Sequence, residues 1–267
     1  MVSLQWDGSR ADAFLAQHGL ELDLAAGQAR SCREALGLAA ALLGEIDAGS
    51  EGPVGFQRTY RAASGPAAVF TRRLGPVRTV MSCTRVQADL GAFLALTCDD
   101  RMGDLARLWD ETFISHDVVA VEAASEGPGA PPMRVVRWRF RAAPLASREL
   151  AYLILPVAHA GGARVTVFYL SVKGAKVPPG AGGFCRARLL WPTFDDARVT
   201  AEPGLLHLNH SMTCELGGWV SAWAQRLVVD GAIAAQSSHE VHELERIFLN
   251  PAFREIVQAP PRAPTSR

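Results

Sequence analysis

The chain has no excess charge of either sign. Its 27 Lys and Arg balance 27 Asp and Glu, and the isoelectric point is near 7.1. Neither a basic nucleic-acid footprint nor a strongly acidic partner surface is therefore expected from composition. Cysteine is scarce and odd in number: Cys32, Cys83, Cys98, Cys185 and Cys214 are scattered and form no C-x-x-C pair. That argues against a disulfide framework and a zinc ribbon, and fits a reducing compartment. Long hydrophobic runs are missing too. The longest apolar helical run, Ala35 to Gly44, is half of the roughly 20 residues that a bilayer span needs. The opening MVSLQWDGSRADAF carries acids early and no apolar stretch of a secretion signal. The expectation is a cytoplasmic protein with no membrane span. No G-x-S-x-G, P-loop or G-x-G-x-x-G lies in a strand-turn-helix context. His239 and Glu243 share a helical face in HEVHE but lack a third ligand, so no metal and no cofactor are expected.

What is present is apolar material in ordered patterns. Of the 267 residues 49% are hydrophobic, enough for one large core, and 20% are charged. Ser31 to Ile46 predicts a helix, with Ser31 as cap, Glu34 three residues on, and Leu36, Ala39 and Leu43 at helical spacing. Val54–Ala62, Ala67–Leu74 and Val77–Val86 predict a meander of hairpins punctuated by Gly-Pro pairs. Asp89–Thr97 and Arg101–Thr112 predict two short helices, with His116-Asp117 as a turn before a strand to Ala124. In Met133–Arg141, Arg137, Arg139 and Arg141 alternate with Val136, Trp138 and Phe140. Glu149–Val157 and Arg164–Val172 are apolar on both faces and predict central strands. Phe184–Trp191 and Leu205–Cys214 complete the strands, and a long helix follows Leu216. Strands in antiparallel order with segregated helices make an α+β domain.

Four segments in this order resemble the START family, the steroidogenic-acute-regulatory-protein-related lipid transfer domains with a helix-grip fold. RMGDLARLWDETF is similar to the Trp-Asp-bearing helix before the family's fourth strand. SREL, Ser147 to Leu150, stands at the strand start after a short omega loop. FCRARLLW places Arg186 at the family's strand arginine. ELGGWVSAWAQRL is similar to the run leading into its C-terminal helix, with Gly218 and Trp219 in register. Glu149 replaces the usual Asp, Ser221 the usual Pro, and Tyr152–Leu155 are uncharged where steroid-binding members carry a further Arg, which argues against a cholesterol-type site. The resemblance implies a curved antiparallel sheet wrapped around the long C-terminal helix, enclosing a hydrophobic tunnel for one lipid. It divides the chain into an N-terminal extension and first helix packed on the domain (1–52), a START-like domain (53–250) and a disordered tail (251–267).

The implied function is non-catalytic binding, and intermembrane transfer or sensing, of a phospholipid, sterol or sphingolipid, with transient membrane-surface contact. The alternative is an enzyme of the polyketide cyclase or aromatase kind on the same fold. Candidate ligand residues are Trp138, Phe140, Tyr152, Tyr169, Arg186, His210, Met212, Trp219, Trp223 and Leu227. His210 is either the polar tooth of the tunnel or a core histidine. Arg186 either holds an anionic headgroup or pairs with Glu149. The Arg137–Arg139–Arg141 stripe is read as a solvated outer face, with a lipid-headgroup surface as the minor reading.

Overall fold

The computed structural model describes residues 8–24, 29–48, 55–62, 67–74, 77–122, 131–143, 145–191, 193–218, 244 and 246–258. Helix α1 (Gly8–Gln17), strand β1 (Leu20–Leu22) and helix α2 (Cys32–Ala48) come first. The predicted capping box of α2 forms, shifted by one residue on its return side. Ser31 Oγ accepts from Glu34 N at 3.1 Å, and the Glu34 carboxylate accepts from Arg30 N at 2.7 Å. Strands β2 (Gln57–Arg61), β3 (Ala68–Leu74) and β4 (Val77–Gln87) follow as the expected meander. Helices α3 (Leu90–Cys98) and α4 (Met102–Ala106) lead to β5 (Phe113–Val121), β6 (Arg134–Phe140), β7 (Arg148–Ala158) and β8 (Arg164–Gly174). The short β9 (Cys185–Arg186) and β10 (Arg188–Leu189) precede β11 (Phe194–Val199), β12 (Leu205–Met212) and β13 (Cys214–Glu215), and α5 (Pro251–Gln258) closes the described chain.

The main sheet runs β2-β3-β4-β12-β11-β8-β7-β6-β5, each neighbour antiparallel. Strand β12 returns to pair with β4 and so joins two meanders into one curved surface. Alternation sends its residues to two cores. On the outer face Val135, Leu153, Leu155, Phe168, Leu170 and Phe194 pack on Phe14, Leu15, Leu36 and Leu43 of the two N-terminal helices. On the inner face Val136, Tyr152, Ile154, Val165, Val167, Ala197, Leu206 and Leu208 pack with Phe93 of α3, Met102 and Leu105 of α4, and Phe253 of α5. Burial on both sides explains why β7 and β8 read as continuous apolar runs.

A buried polar island fastens α2 to the outer face. Asp196 on β11 is fully buried. It accepts from Arg164 Nε (2.7 Å) and Nη2 (3.0 Å), Thr166 Oγ1 (2.8 Å) and Asn209 Nδ2 (3.1 Å). The remaining Arg164 nitrogen, Nη1, reaches Asp47 in the last turn of α2 at 2.6 Å. A guanidinium shared between two carboxylates thus spans from sheet to helix.

Several expectations need correction. Strand β11, α1 and β1 were not predicted. The segment after Arg101 forms only a five-residue helix, and His116-Asp117 lies inside β5, not in a turn before it. FCRARLLW splits into β9 and β10 around Ala187. The fold also does not end at residue 250. Asn250 Oδ1 accepts from Ala252 N at 3.0 Å, and Pro251 supplies a first helical residue that has no N–H to lose. The helix so started buries Phe253 against Phe248. Its carbonyls at Ile256 and Val257 accept from Arg101 Nη1 at 3.0 and 2.7 Å, while Arg101 Nε and Nη2 hold Asp99.

Asp196→Ala strands the Arg164 guanidinium in the outer core, and removing one partner of a buried pair costs about 3–5 kcal/mol. Urea unfolding at pH 7 is expected to show that loss, with a smaller one for Asp47→Ala, whose side chain is 26% exposed. Equal losses for the two would contradict the central position given to Asp196.

Candidate functional site

Three strands bring a polar cluster to the middle of the inner face. Asp195 shares β11 with Asp196 but points the opposite way, with Ala197. It lies directly across the ladder from His210 on β12. His210 Nδ1 and Asp195 Oδ1 are 2.5 Å apart, and Tyr169 on β8 donates its hydroxyl to Asp195 Oδ2 at 2.5 Å. A carboxylate only accepts, so the proton of this contact sits on Nδ1 of the imidazole. Tyr152 on β7 meets Tyr169 edge-on, ring centres 5.7 Å apart. Burial, then the Asp195 charge, raise the Tyr169 pKa well above that of an ordinary phenol, and the same causes raise Tyr152. Both phenols therefore keep their protons, and Tyr169 donates its own to Asp195. Cys98, from the last turn of α3, lies near the cluster and feels the Asp195 charge; burial pushes its thiol up to about 12, so it is no nucleophile at neutral pH.

Around this cluster the face is aliphatic and aromatic. Trp138 packs edge-on to Phe113 and His116, with ring centres 4.7 and 5.8 Å away. Phe140 falls on the same side of β6 by alternation, and Met212, beyond His210 on β12, stands across from Val80. Tyr152, Tyr169 and His210 are thus brought together, Trp138, Phe140 and Met212 share their face, and Trp219, Trp223 and Leu227 lie outside the described residues.

Arg186 is not on this face. Its Nη2 pairs with Glu149 Oε1 at 2.8 Å and donates to the Val177 and Pro178 carbonyls. Glu149 is fully buried among outer-facing residues. The ion-pair alternative is the one the geometry bears out. The same carboxylate draws in Arg139 (Nε at 3.1 Å) and Arg137 (Nε at 3.6 Å). Those two arginines are 19% and 16% exposed, so the stripe read as solvated is half-sunk around a buried glutamate. Asp195, which orients both His210 and Tyr169, escaped the sequence reading. The signal was FDDARV, an adjacent pair of carboxylates between two apolar strand runs.

The chain leaves this face through a constrained turn. Buried Arg148 donates from Nε to the Leu216 carbonyl at 2.8 Å and also holds the Ala146 carbonyl. Gly217 and Gly218 follow, with φ of 61° and 70°. A Cβ on Gly217 would stand 1.9 Å from the Arg186 carbonyl oxygen, so only glycine fits.

The architecture is similar to solved START domains. The human StarD13 (DLC2) lipid transfer and protein localization domain matches at 18% identity, with 74% of this chain and 90% of that chain covered and a TM-score of 0.56. Human StAR-related lipid transfer protein 5 matches at 16% identity, covering 80% and 96%, with a TM-score of 0.61. Human STARD10 matches at 15% identity, covering 86% and 89%, with a TM-score of 0.53. No family model and no curated protein matches the sequence. At these identities the likeness shows the fold: α+β, helix-grip, START-like. Among the described residues no helix is long and apolar enough to cross a membrane.

His116, next to Trp138, gives this face a pH signature. Burial lowers its pKa to about 4, against the opposing pull of Asp117 and Asp104. The unfolded chain then binds a proton that the folded one refuses. Stability contributed by neutral His116 is complete above the unfolded pKa of roughly 6.5 and is lost as pH falls towards the folded value. The urea midpoint of the wild type is expected to drop more between pH 7 and pH 4.5 than that of His116→Phe. Identical drops would place the acid sensitivity elsewhere.

Proposed function

We propose that this chain, built on the START-type helix-grip fold, is a non-catalytic carrier or sensor that holds one lipid against the inner face of its sheet. The observation that carries the reading is the make-up of that face. An aliphatic and aromatic wall (Val136, Trp138, Ile154, Val167, Leu206, Leu208) surrounds an oriented hydrogen-bonding group, Tyr169–Asp195–His210. Burying about 400 Å² of lipid hydrocarbon would yield roughly 10 kcal/mol before the costs of ordering and association. Such a driving force needs no reaction. The polar cluster then selects the headgroup. A carboxylate at its heart repels an anionic head and accepts from a hydroxyl or amide N–H, so a neutral, donor-bearing lipid fits better than a free acid. On the sequence alone Trp219, Trp223 and Leu227 remain candidates for the facing wall, and contact with membranes is transient.

The Asp195–His210 pair also supports a second reading, a cyclase-like enzyme. An imidazole held by a carboxylate, next to a neutral phenol, is an acid–base set. The two readings part on what the protein contains and what it consumes.

Native mass spectrometry of the freshly purified chain, followed by solvent extraction, is expected to find one lipid per chain with a hydroxyl or amide donor. His210→Ala is expected to retain roughly five- to tenfold less of it, the weight of about one hydrogen bond. A clean apo mass, with no uptake from mixed-lipid liposomes, would reject the carrier. Turnover of a poly-ketone surrogate that disappears in His210→Ala, with binding intact, would favour the enzyme.

A further inference from the structure

A second site lies beside the polar cluster, on the far side of the last turn of α3. A cleft of about 780 Å³ opens between α3, α5 and the start of β6, within the range of about 300–1,000 Å³ usual for small-molecule sites. Leu94 of α3 and Phe248, Phe253 and Val257 of the C-terminal segment form its apolar walls, and Arg134, the first residue of β6, also lines it. Arg134 is 9% exposed. Its Nη1 pairs with Asp100, whose side chain is 55% exposed, but its Nε is fully buried with no hydrogen-bond partner.

The other charges of the cleft leave that nitrogen unanswered. Asp89 is spent capping α3 at Ala92 N, and Asp99 is held by Arg101. Arg101 in turn ties down the carbonyls of α5, and Arg254 lies exposed at the rim. A buried guanidinium N–H without an acceptor is costly. The residue that carries it lines a greasy cleft with room for an acceptor that brings its own hydrocarbon.

We propose that this cleft binds an amphipathic anion, its carboxylate or phosphate against the Arg134 guanidinium and its hydrocarbon on Leu94, Phe248, Phe253 and Val257. The site is separate from the Asp195 cluster, which repels the same headgroup. Cys98 lines the cleft and feels the Asp195 charge, so the two sites are neighbours across α3. Occupancy of one is read independently of the other.

The test is isothermal titration of the full chain with sodium decanoate and, in parallel, decanol. Arg134→Gln is expected to weaken decanoate at least about tenfold, the loss of a charge-assisted hydrogen bond, and to leave decanol unchanged. Unaltered decanoate binding, or equal weakening of acid and alcohol, overturns the proposal. Should Arg134→Gln melt early, Val257→Trp fills the cleft from α5 without touching the arginine. It is expected to abolish decanoate uptake, and undiminished uptake overturns the proposal. Co-sedimentation with phosphatidylglycerol and phosphatidylcholine vesicles separates the two sources of the anion. Loss of phosphatidylglycerol binding in Arg134→Gln assigns the site to a membrane headgroup; loss of decanoate alone assigns it to a free single-chain acid. Native mass spectra of the same samples report the inner-face lipid, so failure of the cleft and failure of the carrier are told apart.

Discussion

Two ionisable carboxylates one peptide apart, in a strand covered on both faces, set the terms for the rest of this structure. Asp195 and Asp196 project to opposite sides of β11, and neither can remain there without partners. The outer one is met by Arg164, Thr166 and Asn209, and through Arg164 it fastens the N-terminal helices to the sheet. The inner one is met by a phenol and an imidazole, which carry no obligatory compensating charge. One side of the strand is therefore a closed structural knot. The other is a polar group whose balance a bound molecule can change. Strand, tether and site are one arrangement seen from two faces.

This division explains what was legible in the sequence. The flanking strands β7 and β8 announce themselves because both of their faces are apolar, and the meander β2–β4 because glycine-proline pairs punctuate it. The capping box before α2 is a local motif and forms locally. Strand β11 was missed because Asp-Asp disfavours a strand on local propensity; only partners more than a dozen residues away make it tolerable. Asp195 went unseen with it, while its dependants were picked out separately, His210 as a polar tooth and Tyr169 as a wall residue. The Arg137–Arg139 stripe misled for a related reason. Alternation reports which residues share a side, and the arginines do share one, but it does not report that a buried glutamate from the next strand waits there. Helix α5 was hidden by the proline-rich letters after it, although Asn250-Pro251 is a start signal in its own right. The candidates Trp219, Trp223 and Leu227 rest on sequence alone.

The polar groups of the inner side also separate binding from chemistry. Phenols whose ionisation burial opposes and a thiol that stays protonated are good at holding a neutral partner and poor at attacking one. Among the described residues of this cluster the acid–base group is one oriented imidazole. A face of this kind distinguishes molecules by which hydrogen bonds they complete, and the apolar wall around it is indifferent to the rest.

The N-terminal helices have a mechanical consequence. By filling the outer face they remove the direction in which a curved sheet could yield. The central strands are clamped between close-packed side chains, and close-packed interiors compress little. Any guest of greater bulk must take its volume from the helical side alone, where α3, α4 and α5 are short and only α3 and α4 follow each other through a turn. Compliance in this fold is thus one-sided. The sheet serves as a rigid gauge, and for a carrier of the kind proposed the range of guests would be a property of the helices that lean on it.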